Sequence, residues 1–446
     1  MKLFSSLGSP LIGEIALPGD KSLSHRAALL SALAEGESQV GNFLVAGVTK
    51  KMLKALSALG IDWSLDDAQL TVRGLGLHGF CQPQSVINCG NSATTLRLLA
   101  GAIAASGVPA ILDGSDGLRR RPMARIVAPL KAMGVKIDGT GNCAPLRLEA
   151  SHMPLLSIHH RLSVASAQVK SCILLAALSG DGTTILDEPG PSRDHTERML
   201  ATMGVTIFGG QVLQQDHSIF RTTLRCDPGQ GLNPIRITLP GDISSAAFLI
   251  VAALITPGSK ISLHGVGLNP TRTGILDALQ AMGGRITITS LSESGGEQVG
   301  DILVEHSSLR GVEVSGGLVV RMIDEFPVFS VASAFASGRT VVCQAEELRH
   351  KESDRISALC QELNHLGVKI EEIPDGFMIH GREVSGGCEV ESHGDHRLAM
   401  ALAVAGLAAR SPVVVQGAEI ITESFPGFIE CLQSLGANLI VQPENM

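Results

Sequence analysis

The sequence predicts an α/β protein of two domains, with its sheets outside and its helices within. Three observations carry this reading: the length, a sixfold repeat of one amphipathic unit, and six helices that are apolar on every side. At 446 residues the chain exceeds the size at which one hydrophobic core stops growing, so two domains of about 200 residues each are expected.

The repeated unit is an amphipathic helix ending in Leu or Met, a glycine that closes it, and a short β-branched run. Its copies run from Leu53 to Ile61, Ala128 to Ile137, Glu197 to Ile207, Gly274 to Ile288, Ile356 to Ile370 and Gly427 to Val441. The capping glycines Gly60, Gly134, Gly204, Gly283, Gly367 and Gly436 lie 69 to 84 residues apart. That is too long for a solenoid period, so each unit is a small subdomain. Between these copies stand DKSLSHRAALLSALA, GNSATTLRLLAGAIAA, SAQVKSCILLAALSG, GDISSAAFLIVAALI, DEFPVFSVASAFASG and GDHRLAMALAVAGLAA. A helix apolar all round is buried, so each subdomain has one interior and one exterior helix, joined by strands that cover the interior one. Six subdomains divide most simply into three per domain. The boundary is expected in DPGQGLNP, giving residues 20–233 as one domain and residues 1–19 with 234–446 as the other. The second crossing, near Pro18 to Asp20, follows if the first strand pairs with the C-terminal half.

Composition narrows the function. A net charge of -8 argues against a nucleic-acid binder, which carries a strongly basic face. No run reaches the roughly 18 apolar residues of a membrane span, and the first residues lack the apolar core of a signal peptide. The nine scattered cysteines form no C-x-x-C pair and suit reduced thiols in a cytoplasm; Cys89 reads as a packed side chain. The histidines His25, His195, His393 and His396 have no ligand spacing, so no metal site is predicted. Gly74 to Gly79 fits G-x-G-x-x-G, but Pro83 follows and no apolar helix starts there, so it reads as a turn between strands.

The polar residues of the interior helices gather at their N-termini, where unpaired N–H groups and the macrodipole favour anions. Cations cluster there too: Lys21, Arg26, Arg97, Arg193, Lys351, Arg355 and Arg397, with the loop Arg119 to Arg121. A cleft between the domains lined by six such starts would trap a substrate bearing several phosphates and carboxylates. Each feature alone has a plainer reading. The arginine run suits a solvated loop, Asp324 and Asp242 suit helix caps, and Glu352 suits a surface ion pair.

Together, and in order along nearly the whole chain, LPGDKSLSHRA, GNSATTLR, RRRPM, SAQVKS, SRDHTERML, DEFP, RHKESDRI and GDHR closely resemble the 5-enolpyruvylshikimate-3-phosphate synthases. The resemblance implies an inside-out α/β barrel in two domains, each of three βαβαββ repeats, with the active site in the cleft between them. It implies transfer of the enolpyruvyl group of phosphoenolpyruvate to the 5-hydroxyl of shikimate 3-phosphate, without cofactor or metal, by a cytoplasmic monomer. Carried over by position, shikimate 3-phosphate is held by Lys21, Ser22, Arg26, Ser166, Gln168, Arg193, Asp324 and Lys351, with Ala167 offering its backbone. Phosphoenolpyruvate is held by Lys21, Asn91, Ala93, Arg121, Gln168, Arg355 and Arg397. Arginine forks suit phosphate and carboxylate because they donate parallel hydrogen bonds. Asp324 is the expected acceptor of the hydroxyl proton, Glu352 the donor to the methylene carbon, and Lys21 the stabiliser of charge.

Two positions depart from the family pattern. Glu423 stands where a lysine commonly precedes Ser424-Phe425-Pro426, and Val48 where an acidic residue is common, which touches the surroundings of Asn91. Ala93 replaces a common glycine, and its methyl should narrow the phosphoenolpyruvate slot against longer analogues such as glyphosate. Two other readings stand beside this one. The related UDP-N-acetylglucosamine enolpyruvyl transferases place a cysteine in the loop that is Gly114 to Leu118 here, where none occurs. A non-catalytic anion binder would gain nothing from Asp324 and Glu352.

Overall fold

The computed structural model describes residues 1–442 except 215–216, 228 and 230. Part of the expected linker DPGQGLNP, residues 228 and 230, lies outside the described residues. The chain folds as two compact units. The first comprises Met1–Pro18, Pro240–Ser292 and the chain from Gln298; the second comprises Gly19–Leu239 and Glu293–Glu297. Each has its own hydrophobic core.

The six apolar segments are all helices: Lys21–Leu33, Ala93–Ser106 and Ala167–Ala177 in the second unit, and Ile243–Ile255, Phe326–Phe335 and His396–Gly406 in the first. The helices Ile243–Ile255 and His396–Gly406 are buried at every residue. In the second unit the only positions of these helices left partly open are Lys21, Ser22, Thr94, Arg97, Ala167 and Gln168, all in the first turn or next to it. In the second unit burial thus closes the body of each interior helix and leaves its N-terminus accessible.

The exterior helices are Gly47–Ala58, Ala124–Ala132, His195–Thr202, Gly274–Ala281, Arg355–His365 and Phe428–Ser434. The glycine after each has φ between 84° and 104°, the left-handed conformation that stops a helix and that only glycine adopts without cost. A strand follows every time.

Among the described residues six four-stranded sheets result, all wired alike. In the second repeat, Ile87–Asn88 runs parallel to Ala110–Asp113, which is antiparallel to Cys143–Leu148, itself antiparallel to Ile137–Thr140. A βαβαββ unit produces this order because the interior helix supplies the crossover that a parallel pair requires. Three sheets borrow a strand from a distant part of the chain. Ile12–Ala16 lies parallel to Lys260–Gly267, and Arg236–Thr238 lies parallel to Glu35–Gly41. Lys2–Ser6 inserts between Val413–Gln416 and Asn438–Gln442. The change of unit therefore falls between Leu239 and Pro240 and not at residue 233, because the 236–238 strand completes the first repeat's sheet. The hairpin segment 293–297 likewise belongs to the second unit, where Glu297 meets His195 at 2.7 Å.

The interior helices approach closely. A Cβ at Gly101 would lie 2.2 Å from the carbonyl oxygen of Cys172, so the helices Ala93–Ser106 and Ala167–Ala177 meet there with no room for a side chain.

Candidate active site

Each unit carries one polar constellation at the starts of its interior helices, and the two are described in turn. In the second unit, Asp20 caps its helix by accepting from the Leu23 N–H at 2.8 Å, and Ser92 accepts from the Thr95 N–H at 3.1 Å. Ser166 makes no such bond to its own helix. Gln168 is held from both sides: its Oε1 accepts from Arg97 at 2.8 Å, and its amide donates to Thr94 Oγ1 at 2.9 Å. The second and third repeats are thereby joined through three side chains that the interior helices leave accessible.

Arg26 is buried and braces three elements. Its guanidinium donates to Thr196 Oγ1 at 2.7 Å, to Ser171 Oγ at 2.9 Å and to the Ser22 carbonyl at 3.0 Å. His25 is also buried. Its Nδ1 lies 2.8 Å from the Lys21 carbonyl and Nε2 lies 3.5 Å from Ser92 Oγ. Burial holds this imidazole down to about 4, so it is neutral at physiological pH and can donate from Nδ1 while accepting at Nε2. Lys21 and Ser22, half-buried, begin the same helix.

Ala93 is the first residue of its helix and is buried. Asn91 just before it is exposed, its Oδ1 accepting from Ser115 Oγ at 3.1 Å. Ser115 opens the short helix Asp116–Arg119, after which comes half-buried Arg121. Arg119 instead turns to Asp113 at 2.6 Å, so the arginine run contains a structural member. Arg193 is half-buried between the strand Thr183–Glu188 and the helix His195–Thr202. Cys89 is packed in the core, its thiol pushed up to about 12 by burial.

In the first unit the constellation centres on Asp324. Its carboxylate has Arg355 at 3.6 Å and Lys351 and Arg397 each at 3.9 Å. Arg397 also donates to the Asp324 carbonyl at 3.1 Å. Arg355 is fully buried and heavily paired: Nε donates to Asp395 at 2.7 Å and Nη2 to Glu352 at 2.8 Å. Burial alone would favour its neutral form, but Asp395, Glu352 and Asp324 outweigh that and raise its proton affinity. Its Nη1 is the nitrogen that faces Asp324 at 3.6 Å, beyond hydrogen-bond distance. Asp395 is buried against it and caps the helix of Arg397, accepting from that N–H at 2.9 Å. Beside this group Ser244 Oγ donates to Glu325 and accepts from Arg272 at 2.7 Å.

The structure thus brings Asp324, Lys351, Glu352, Arg355 and Arg397 together in one unit, and Gln168 together with Thr94 and Arg97 in the other. Thr94, Arg97 and Asp395 were not among the assigned site residues. Arg97 had shown itself as a cation near a helix start, and Asp395 as the acidic member of GDHR. Glu423 ends the 3-10 turn Ala418–Glu423, half-buried.

Six βαβαββ sheets around buried interior helices, with a set of cations near the helix starts of each unit, define the two-unit fold of the enolpyruvyl transferases. Comparison with known proteins narrows this. The family model described as EPSP synthase (3-phosphoshikimate 1-carboxyvinyltransferase) matches residues 6–432. The 3-phosphoshikimate 1-carboxyvinyltransferase of Coxiella burnetii is 46% identical over 431 residues, 96% of each chain. That of Syntrophotalea carbinolica is 47% identical over 96% of this chain and 97% of its own. The solved EPSP synthase of Acinetobacter baumannii superposes with a TM-score of 0.86 at 38% identity, over 99% of this chain and all of the other. The chain belongs to the EPSP synthase family.

Proposed function

We infer that the chain transfers the enolpyruvyl group of phosphoenolpyruvate to the 5-hydroxyl of shikimate 3-phosphate and releases phosphate, as a cytoplasmic monomer in aromatic amino acid biosynthesis. The observation that carries this beyond family membership is Asp324, a carboxylate with three cations within 3.9 Å, two from the segment 351–355 and one from the start of the helix His396–Gly406. A passive anion site would be weakened by that carboxylate, whereas a proton-transferring site requires it.

The half-reactions are distributed as follows. Shikimate 3-phosphate is held by Lys21, Ser22, Ser166, the Ala167 backbone, Gln168 and Arg193, with Asp324 and Lys351. Arg26 acts largely from below, because its bonds to Thr196, Ser171 and the Ser22 carbonyl set the helix start. Phosphoenolpyruvate is held by Lys21, Asn91, Arg121, Gln168, Arg355 and Arg397, against Ala93. Asp324 accepts the 5-hydroxyl proton as the oxygen bonds to C2 of phosphoenolpyruvate, and Glu352 delivers a proton to C3, giving a tetrahedral intermediate. Loss of a proton from that methyl group then expels phosphate and restores the double bond, and the two carboxylates can exchange roles in this step. Glu352 is paired with Arg355 at 2.8 Å. An anionic substrate that draws the guanidinium to itself loosens that pair and lets Glu352 take up the proton it hands on. Lys21 offsets charge on both substrates.

With a glutamate at 423, phosphoenolpyruvate binding rests more heavily on Arg355 and Arg397. The Ala93 methyl reduces glyphosate sensitivity. The test is phosphate release with phosphoenolpyruvate and either shikimate 3-phosphate or UDP-N-acetylglucosamine as acceptor. Turnover with the first alone is expected; turnover with the second alone, or with neither, would overturn the reading.

A further inference from the structure

One charged side chain of the interior helices serves no step above. Lys170 lies in Ala167–Ala177 with no exposed surface, its Nζ 2.8 Å from Glu188 and 2.7 Å from Glu197. The Phe220 ring lies 5.9 Å from the same nitrogen. A lysine in a helix otherwise apolar is costly to bury, and it stays charged only because two carboxylates meet it. Burial pulls its proton affinity down, and the charges of Glu197 and Glu188 more than reverse this.

The placing of the two carboxylates is informative. Glu188 ends the strand Thr183–Glu188, and Glu197 lies in the first turn of the helix His195–Thr202. They flank the loop 189–194, which carries Arg193. Ser192 inside that loop donates to the other oxygen of Glu188 at 2.5 Å. At the other end Lys170 lies one helical turn after Ser166, whose carbonyl accepts the Lys170 N–H at 3.0 Å. One buried ammonium therefore connects the helix start bearing Ser166, Ala167 and Gln168 to both ends of the loop bearing Arg193. A hydrocarbon side chain would fill the space but would not fix this spacing, since apolar contact has no direction.

We propose that Lys170, with Glu188, Glu197 and Ser192, is a positioning device that sets the Arg193 loop against the Ser166–Gln168 helix start and thereby sets affinity for the sugar-phosphate substrate. This rests on the functional reading above, in which Ser166, Ala167, Gln168 and Arg193 hold shikimate 3-phosphate. Lys170 and its partners touch no reacting atom, so their removal acts on binding and leaves the chemical step unaffected; shikimate 3-phosphate, which rests on all four of those residues, loses more than phosphoenolpyruvate, which shares only Gln168 with them.

The experiment measures shikimate 3-phosphate binding by calorimetry, with KM for each substrate and kcat, on the full chain and four variants. Lys170→Met leaves two buried carboxylates without a cation. Lys170→Met with Glu188→Gln and Glu197→Gln removes the charges together and guards against misfolding. Ser192→Ala cuts only the loop's tie. Folded Lys170→Met variants should bind shikimate 3-phosphate roughly tenfold more weakly, the scale of one slackened charge-assisted hydrogen bond. Ser192→Ala should show a smaller change in the same direction, and Lys170→Arg should restore affinity. KM for phosphoenolpyruvate and kcat should stay within about twofold. Unchanged affinity in a folded variant, or equal losses in all parameters, would overturn the assignment. So would unfolding of both Lys170→Met variants together with normal binding by Ser192→Ala, which would make the trio a stability element alone. Failure of the unmodified chain to bind shikimate 3-phosphate would overturn the functional reading and this assignment with it.

Discussion

Replacing Asp395 by asparagine removes one negative charge from the most heavily buried part of the first unit's constellation and leaves the shape intact. Asp395 has no exposed surface and meets Arg355 through both oxygens, at 2.7 and 3.3 Å. Breaking a buried pair by removing one partner costs about 3–5 kcal/mol. Arg355 retains Glu352 at 2.8 Å and Asp324 at 3.6 Å, so the low end, about 3 kcal/mol, is expected for the asparagine variant. Asparagine still accepts the Arg397 N–H as a cap, whereas alanine does not, so Asp395→Ala should lose about 1 kcal/mol more. The pH dependence has a fixed sign. Burial works to raise the proton affinity of Asp395, but the Arg355 guanidinium outweighs it and holds the carboxyl below the usual range. A depressed carboxyl contributes stability above its unfolded value of about 4 and loses it as pH falls through the folded value. Denaturant unfolding followed by circular dichroism should therefore show a gap between parent and Asp395→Asn that is constant from pH 7 to about 5 and narrows below about 4. A gap under about 1 kcal/mol at pH 7, or one that persists undiminished at pH 3, would refute the reasoning.

Other substitutions test separate parts of the account. Asp324→Ala should keep the fold and lower turnover by about 10²–10⁴-fold, the usual contribution of a general base; near-normal turnover in a steady-state assay would remove Asp324 from that role. Ala93→Gly should make inhibition by glyphosate stronger, and an unaltered inhibition constant would show that the methyl group does not narrow the slot. Gly101→Ala sets a Cβ 2.2 Å from the Cys172 carbonyl and should destabilise the second unit by about 1–3 kcal/mol. A melting temperature equal to the parent's would mean that the helices separate there without cost.

The parts of this fold that local pattern determines were readable in the sequence. The six apolar helices and the six glycine-closed exterior helices follow from side chains near each other along the chain, and so does the count of six repeats, whereas the βαβαββ order within each came from the family resemblance. Arg236–Thr238 was assigned to the wrong side of the boundary because its partner is Gln39–Gly41, and pairing between segments so far apart leaves no local trace. The site divides in the same way. Lys21, Asp324 and Arg355 stand in recognisable motifs, while the partners that orient them come from elsewhere. Asp395 is 40 residues from the Arg355 it neutralises, and Thr196 is 170 from the Arg26 it anchors. Lys170 carried a usable signal, a cation in an apolar helix, but only the fold reveals Glu188 and Glu197 on either side of it.

The most direct test of the central claim is the product itself. The purified chain is incubated with shikimate 3-phosphate and phosphoenolpyruvate in the presence of a chelator, and phosphate release and product mass are followed together. The account predicts one phosphate for each molecule of shikimate 3-phosphate made heavier by one carboxyvinyl group. Phosphate release without that product, or no reaction while both substrates bind, would contradict it.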